Sequence, residues 1–130
     1  MKTEWLERSL IVCPHFCLCL NEKDFHAALD DLKIKKKEWP DWVNYGANAT
    51  VHIYYLNDEI SAIVCLKYQK GRSDIDIYAL LVHEAVHIWQ ETLLKIGEKK
   101  PSSEFEAYSI QRISQNLMYA YKKQSKKLKK

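Results

Sequence analysis

The sequence contains no run of about 20 apolar residues, the length that a membrane-spanning helix needs. Charged residues occupy positions 2, 4, 7 and 8, and the short apolar stretch that follows is interrupted by Pro14 and His15. We therefore expect neither a membrane span nor a signal peptide, and we predict a cytoplasmic monomer. With 130 residues the chain is long enough for one domain with its own core, and no second domain is visible.

Cysteines are few, and a chain without an export signal normally keeps them reduced. Three of the four, Cys13, Cys17 and Cys19, flank His15 and offer three thiols and an imidazole within seven residues. We expect Cys17 and Cys19 to point to opposite faces of a strand, a poor arrangement for a zinc knuckle. We therefore predict that these cysteines and Cys65 are buried apolar side chains.

The small excess of positive charge is confined to one end of the chain. Lys and Arg number 20 against 17 Asp and Glu, which gives +3. Six of the lysines fall within residues 122–130, so residues 1–121 hold 14 basic and 17 acidic side chains, or −3. We divide the chain into a domain at 1–121 and a lysine-rich tail at 122–130. The tail is typical of a solvated helix end, so we do not expect nucleic acid as a partner.

The most informative pattern is HEAVH at residues 83–87. Ser73 followed by Asp76 predicts a helix N-cap, and the helix should run from about residue 74 to about residue 96. On a helix, side chains four residues apart share a face, so His83 and His87 can bind one zinc ion. Glu84 is then placed to act as the general base toward a water molecule. The alternative is a pair of partly buried structural histidines.

The apolar side of this helix is predicted from its periodicity. We expect the histidines to lie beside a buried stripe that comprises Ile75, Tyr78, Ala79, Val82, Val86, Trp89 and Leu93.

A zinc site of this kind needs a third protein ligand. The metzincin pattern requires Gly and His where this chain has Gln90 and Leu93, and no histidine follows His87. A carboxylate therefore remains. The sequence PSSEFEAYSIQ at 101–111 predicts the start of a second helix, with acidic residues in its first turn.

Together the two segments resemble the gluzincins, zinc peptidases that pair HExxH on one helix with an ExxA glutamate on the next. Residues 104–107, Glu-Phe-Glu-Ala, are similar to the Glu-Phe-x-Ala-Asp segment of the CAAX-processing and membrane quality-control gluzincins. The resemblance implies that Glu104 is the third ligand. Glu106 is the alternative, because it heads a similar pattern with Ser109. The chain departs from these relatives at Tyr108, where they often place an aspartate that orients a ligand histidine.

The short spacing between the two motifs is also similar to that of small metallopeptidases encoded by bacteriophages and prophages. The resemblance implies an α+β, zincin-like fold, with a small twisted sheet and a helix before two C-terminal helices that hold Zn²⁺. It implies hydrolysis of peptide bonds in a peptide or protein substrate. The alternative function is a zinc-stabilised adaptor, or an inactive zincin relative, that binds protein or nucleic acid through the lysine-rich tail.

The rest of the chain is predicted to form the scaffold. We expect a strand at 16–20, a helix from Asn21 to about 35, and two strands at 49–56 and 60–68. The strand at 60–68 is the candidate for the cleft edge that pairs with a peptide. The aromatic loop at 39–42 should pack over the domain, and His26 and His52 should lie outside the site.

Overall fold

A computed structural model describes residues 3–6 and 14–128 of the chain. The fold is α+β, with one mixed three-stranded sheet. Its elements are β1 (His15–Cys19), α1 (Glu22–Asp31), a short 3-10 turn (Lys36–Glu38), β2 (Ala49–Leu56), β3 (Glu59–Leu66), α2 (Asp74–Ile96) and α3 (Ser103–Leu128). This order confirms the predicted succession of strand, helix, two strands and two helices. Among the described residues, no helix combines the length and the apolar character needed to cross a membrane.

The strand order is β1-β3-β2, with β1 parallel and β2 antiparallel to β3. Asn57 and Asp58 join β2 to β3 with φ angles of 52° and 62°, and positive values at both positions are typical of a two-residue hairpin turn. Because β1 pairs with β3, the strand that we predicted at the cleft edge is the central strand. The prediction was wrong on this point: the edge strands are β1 and β2, and β2 is the one that borders the cleft described below.

Local signals at both ends determine the bounds of α2. The backbone N–H of Asp76 donates a 3.1 Å hydrogen bond to Ser73 Oγ, which confirms the predicted N-cap. At the other end, Gly97 adopts φ 73° and its N–H donates to the carbonyls of Leu93 and Leu94. Glycine adopts this left-handed conformation without the steric cost of a Cβ atom, so the helix ends there.

The sheet lies between α1 on one face and the pair α2 and α3 on the other. The face of α2 that enters the core differs from the predicted stripe. Its buried side chains include Ile77, Leu81, Ala85, Ile88 and Trp89, whereas Ile75, Ala79 and Val82 are exposed. The helix is apolar on most sides, so periodicity alone placed part of the stripe wrongly, although Trp89 is buried and Tyr78 and Leu93 pack against the core as predicted.

Aromatic residues cover the sheet face beside α1. Trp39 and Trp42 pack against the buried side chains between the sheet and α1, as predicted, and Trp39 Nε1 donates to the Ile34 carbonyl at 2.9 Å. The imidazole of His52 stacks on Phe25 at a centroid distance of 4.7 Å, and His26 stacks on Trp39 at the same distance. Both histidines therefore serve packing, and neither lines the cleft described below.

The thiols of Cys17, Cys19 and Cys65 are buried, free and gathered on the α1 face of the sheet. Burial is confirmed, but the expectation that Cys17 and Cys19 point to opposite faces was wrong, because residues two apart on a strand share a face. Burial raises the pKa of the Cys65 thiol. The prediction for Cys13 lies outside the described residues.

The lysine-rich segment is the last part of α3 as far as Leu128. Gln124 Nε2 donates to the Leu18 carbonyl at 3.0 Å, Ser125 is buried, and Lys123 Nζ lies 2.9 Å from Glu4 Oε2. The division that we drew between residues 121 and 122 therefore falls inside a helix that docks on β1. Residues 129–130 lie outside the described residues.

Candidate metal centre

The imidazoles of His83 and His87 project from one exposed face of α2, one helical turn apart. Their Nε2 atoms are 3.2 Å apart, and their rings lie at 74° to each other. The i, i+4 spacing of HExxH brings the two side chains together, as the sequence predicts. This stretch of α2 is held in place from the opposite side, where Ala85 and Ile88 are fully buried.

The separation of the two nitrogens can be compared with what zinc requires. With Zn–N bonds of about 2.0–2.1 Å and a tetrahedral angle, two ligand nitrogens are about 3.3–3.4 Å apart. The observed 3.2 Å is close to this value, and both histidines line one cleft. The separation of the two Nε2 atoms therefore matches that of two nitrogen ligands of one zinc ion.

Glu84 lies between the histidines in sequence but is only 5% exposed. Burial raises the pKa of its carboxyl group, while the neighbouring imidazoles of His83 and His87 oppose that shift. A carboxylate with a raised pKa accepts and returns a proton near neutral pH more readily than an ordinary glutamate does. The position and the pKa of Glu84 therefore suit a general base.

A cleft of about 420 Å³ opens between α2 and the edge strand β2, and all three HExxH side chains line it. Its α2 side consists of His83, Glu84, His87, Gln90 and Glu91, and its other side of Asn44, Ala49, Thr50, Val51 and Ile53. Within the described chain, β3 is the only strand that pairs with β2. Among the described residues, no strand pairs with the outer edge of β2, and an open edge is the kind of site that an extended peptide can join.

Sequence reasoning missed Glu91, which lines the cleft one turn after His87. The Tyr55 hydroxyl of β2 donates a hydrogen bond to Glu91 Oε2 and joins the strand to the helix at this end of the cleft. The i+4 spacing from His87 was a signal in the sequence. The sequence does not show that β2 lies opposite this part of α2, and that position is what makes Glu91 a cleft residue.

The two predicted candidates for a third ligand lie in the first turn of α3. Glu104 is exposed, and Glu106 Oε2 accepts a 3.0 Å hydrogen bond from Trp89 Nε1. Neither carboxylate lines the cleft, and in the described part of the chain no three His, Cys, Asp or Glu side chains are grouped so as to hold a metal ion. The structure thus brings together His83, His87 and Glu84. Tyr108 is 65% exposed and does not line the cleft either.

Comparisons with protein-family models, with curated proteins and with solved structures gave no match to this chain. Any functional assignment therefore rests on the residues and their geometry.

Proposed function

We propose that this protein is a zinc-dependent metallopeptidase with a minimal, zincin-like domain. The observation that carries the proposal is the pair of Nε2 atoms 3.2 Å apart, beside the buried carboxyl group of Glu84, in a cleft bordered by an edge strand. The order of a small sheet, an HExxH helix and a second helix supports the same proposal. It is the order that the resemblance to gluzincins implies.

In this proposal His83 and His87 hold the zinc ion, and Glu104 completes the set of protein ligands. When bound, zinc would act as a Lewis acid on the scissile carbonyl and on the attacking water. Glu104 belongs to the first turn of a helix whose entry, residues 97–102, is exposed or half-buried. Movement of this turn toward the histidines is thus part of the proposal, and Glu106 is the competing ligand.

The chain's own residues then carry the proton transfers and the binding of substrate. Glu84 takes a proton from the attacking water and passes it to the leaving amine. The edge of β2 holds the peptide in an extended form through backbone hydrogen bonds, and the apolar side chains of Val51 and Ile53 lie beneath it. Backbone pairing requires no particular side chains, so specificity depends on the few polar groups that line the cleft.

The test is zinc content together with hydrolysis of a broad peptide library. We compare wild type with Glu84→Gln, His87→Ala, Glu104→Gln and Glu106→Gln, and with His26→Gln as a histidine control outside the cleft. Wild type should bind about one zinc per chain. His87→Ala and Glu104→Gln should lose the metal, and His26→Gln should keep both metal and activity. Glu84→Gln should keep zinc while cleavage falls by about 10²-fold or more, since a general base contributes about that much.

Each other outcome has a defined meaning. Loss of zinc from Glu106→Gln, but not from Glu104→Gln, would assign the third ligand to Glu106. Tight zinc binding without cleavage of any peptide would contradict the peptidase proposal and favour the zinc-stabilised adaptor. Cleavage that persists in Glu84→Gln would show that the activity comes from a contaminant or from another site.

A further inference from the structure

The carboxylate of Glu91 is held at one end of the cleft by a contact that fixes its position. Glu91 is half-buried, it lines the cleft one turn beyond His87, and it accepts a hydrogen bond from the Tyr55 hydroxyl. The two partners come from different elements, α2 and β2, so the contact spans the cleft at this end. A carboxylate that is anchored in this way loses little conformational freedom when it binds a second donor.

The carboxylates that line the cleft have no basic side chain among the described lining residues to balance them. Among the described residues that line it, Glu84 and Glu91 are acidic, and none is Lys or Arg. The nearest cation along the helix is Lys95, whose Nζ lies 3.8 Å from Asp58 Oδ1. The guanidinium of Arg72, near the start of β2, is bound to the side-chain oxygens of Asn48 and Gln69. In the described structure, therefore, no basic side chain from the cleft wall faces Glu91.

Glu91 lies close enough to the imidazole pair to contact a peptide whose scissile bond is at the histidines. Four residues of helix separate it from His87, or about 6 Å along the axis. The same distance corresponds to about two residues of an extended chain. A peptide that lies along β2 with its scissile bond at the histidines therefore brings a neighbouring side chain to Glu91.

We infer that the cleft selects peptides with a lysine or arginine within two residues of the scissile bond, and that Glu91 recognises this basic side chain. The inference rests on the proposed function, because it takes the cleft beside His83 and His87 as the peptide site. A basic side chain at this place forms an ion pair with a preset carboxylate, whereas an acidic one meets uncompensated repulsion. Glu91 therefore acts on specificity and leaves the metal site intact.

The experiment measures cleavage and binding separately. The probes are three series of otherwise identical peptides that carry lysine, norleucine or glutamate at the varied position, and mass spectrometry locates each cut. The proteins are wild type, Glu91→Gln, Glu91→Lys and Glu98→Gln, the last being the same charge change at an exposed position outside the cleft. Binding is measured by fluorescence anisotropy with the zinc-loaded Glu84→Gln protein, with and without Glu91→Gln.

We expect wild type to favour lysine over norleucine by about fivefold or more, as one ion pair of moderate strength allows. Glu91→Gln should reduce this preference to less than about twofold while zinc content stays unchanged. Glu91→Lys should shift the preference to glutamate, and Glu98→Gln should behave as wild type. The preference should also weaken as salt concentration rises.

Two results would overturn the inference: a lysine preference that is absent or that survives in Glu91→Gln, and loss of zinc from Glu91→Gln, which would make Glu91 a ligand. Failure of the peptidase proposal is distinct. If no peptide is cut but the Glu84→Gln protein binds lysine peptides through Glu91, recognition of a basic side chain by Glu91 stands and the catalytic proposal fails. If peptides are cut without regard to the charge at the varied position, the catalytic proposal stands and recognition by Glu91 fails.

Discussion

The indole Nε1 of Trp89, two residues after His87, donates a 3.0 Å hydrogen bond to Oε2 of Glu106. This hydrogen bond connects α2 to the first turn of α3. The ring of Trp89 is 3% exposed and meets Phe105 edge-on at 5.2 Å. This contact holds the start of α3 against the HExxH helix, so the movement of the first turn proposed above would have to break it. It also engages Glu106, one of the two carboxylates proposed as the third ligand.

Replacement of Trp89 by phenylalanine should weaken this junction. The variant loses the N–H donor and part of the ring, so the free energy of unfolding should fall by about 1–3 kcal/mol. Urea unfolding of the metal-free protein measures the change. Glu104→Gln, which alters an exposed neighbour, should change it by less than about 0.5 kcal/mol. Equal effects of the two substitutions would show that the contact contributes nothing.

The buried side of α2 can be tested with a matched pair of isoleucines. Ile77 is 1% exposed and Ile75 is 79% exposed, although they are two residues apart. Ile77→Ala should lower the free energy of unfolding by about 2–5 kcal/mol, whereas Ile75→Ala should change it by less than about 0.5 kcal/mol. A larger loss from Ile75→Ala would mean that the stripe predicted from periodicity is the buried one.

The metal-free protein should show a pH dependence that comes from Glu84. Burial raises the pKa of its carboxyl group above the ordinary value of 4.5, so over the interval above that value the folded state binds more protons than the unfolded state. The contribution of Glu84 to stability is therefore largest below pH 4.5 and is lost as the pH rises through the folded-state pKa.

It follows that Glu84→Gln should stabilise the metal-free protein at pH 7 and give no gain at pH 4. Denaturant unfolding at the two pH values, with chelator present, measures the difference. Glu98→Gln removes an exposed carboxylate and should show no such contrast. A gain of equal size at both pH values would rule out ionisation of Glu84 as the cause.

The docked end of α3 predicts that truncation and charge removal have different effects. Deletion of residues 122–130 removes the buried Ser125 and the hydrogen bond from Gln124 to the Leu18 carbonyl, so it should lower thermal stability by several degrees. Replacement of the exposed Lys126 and Lys127 by glutamine should leave the melting temperature nearly unchanged.

The lysine substitutions are therefore the appropriate test of the adaptor alternative. Loss of partner binding in a protein that keeps its melting temperature would indicate an electrostatic role for these lysines. Loss of stability in the double lysine variant would contradict the packing described here.

Much of the fold follows from local signals in the sequence. The bounds predicted for α2 agree with the structure because Ser73 and Gly97 supply the cap interactions. The bounds of β2 agree because its β-branched and aromatic residues end at the Asn57–Asp58 turn. The pairing of His83 with His87 needs only the helical repeat.

The remaining features depend on contacts between residues far apart in the chain. β3 is central because β1, more than 40 residues earlier, pairs with it, and no periodicity reports such a partner. The same sheet decides which side of the largely apolar α2 is buried. Glu91 belongs to the cleft for the same reason, since Tyr55 of β2 and the wall that β2 forms give it its surroundings.

The open edge of β2 has a further consequence for the protein in concentrated solution. The strand reads Ala-Thr-Val-His-Ile-Tyr-Tyr-Leu and contains neither lysine nor proline, the residues that commonly prevent one sheet from joining another. An edge that can accept a substrate strand can also accept the edge of another molecule, and the two processes compete for the same hydrogen bonds. Self-association should therefore increase with protein concentration and decrease when a bound peptide covers this edge.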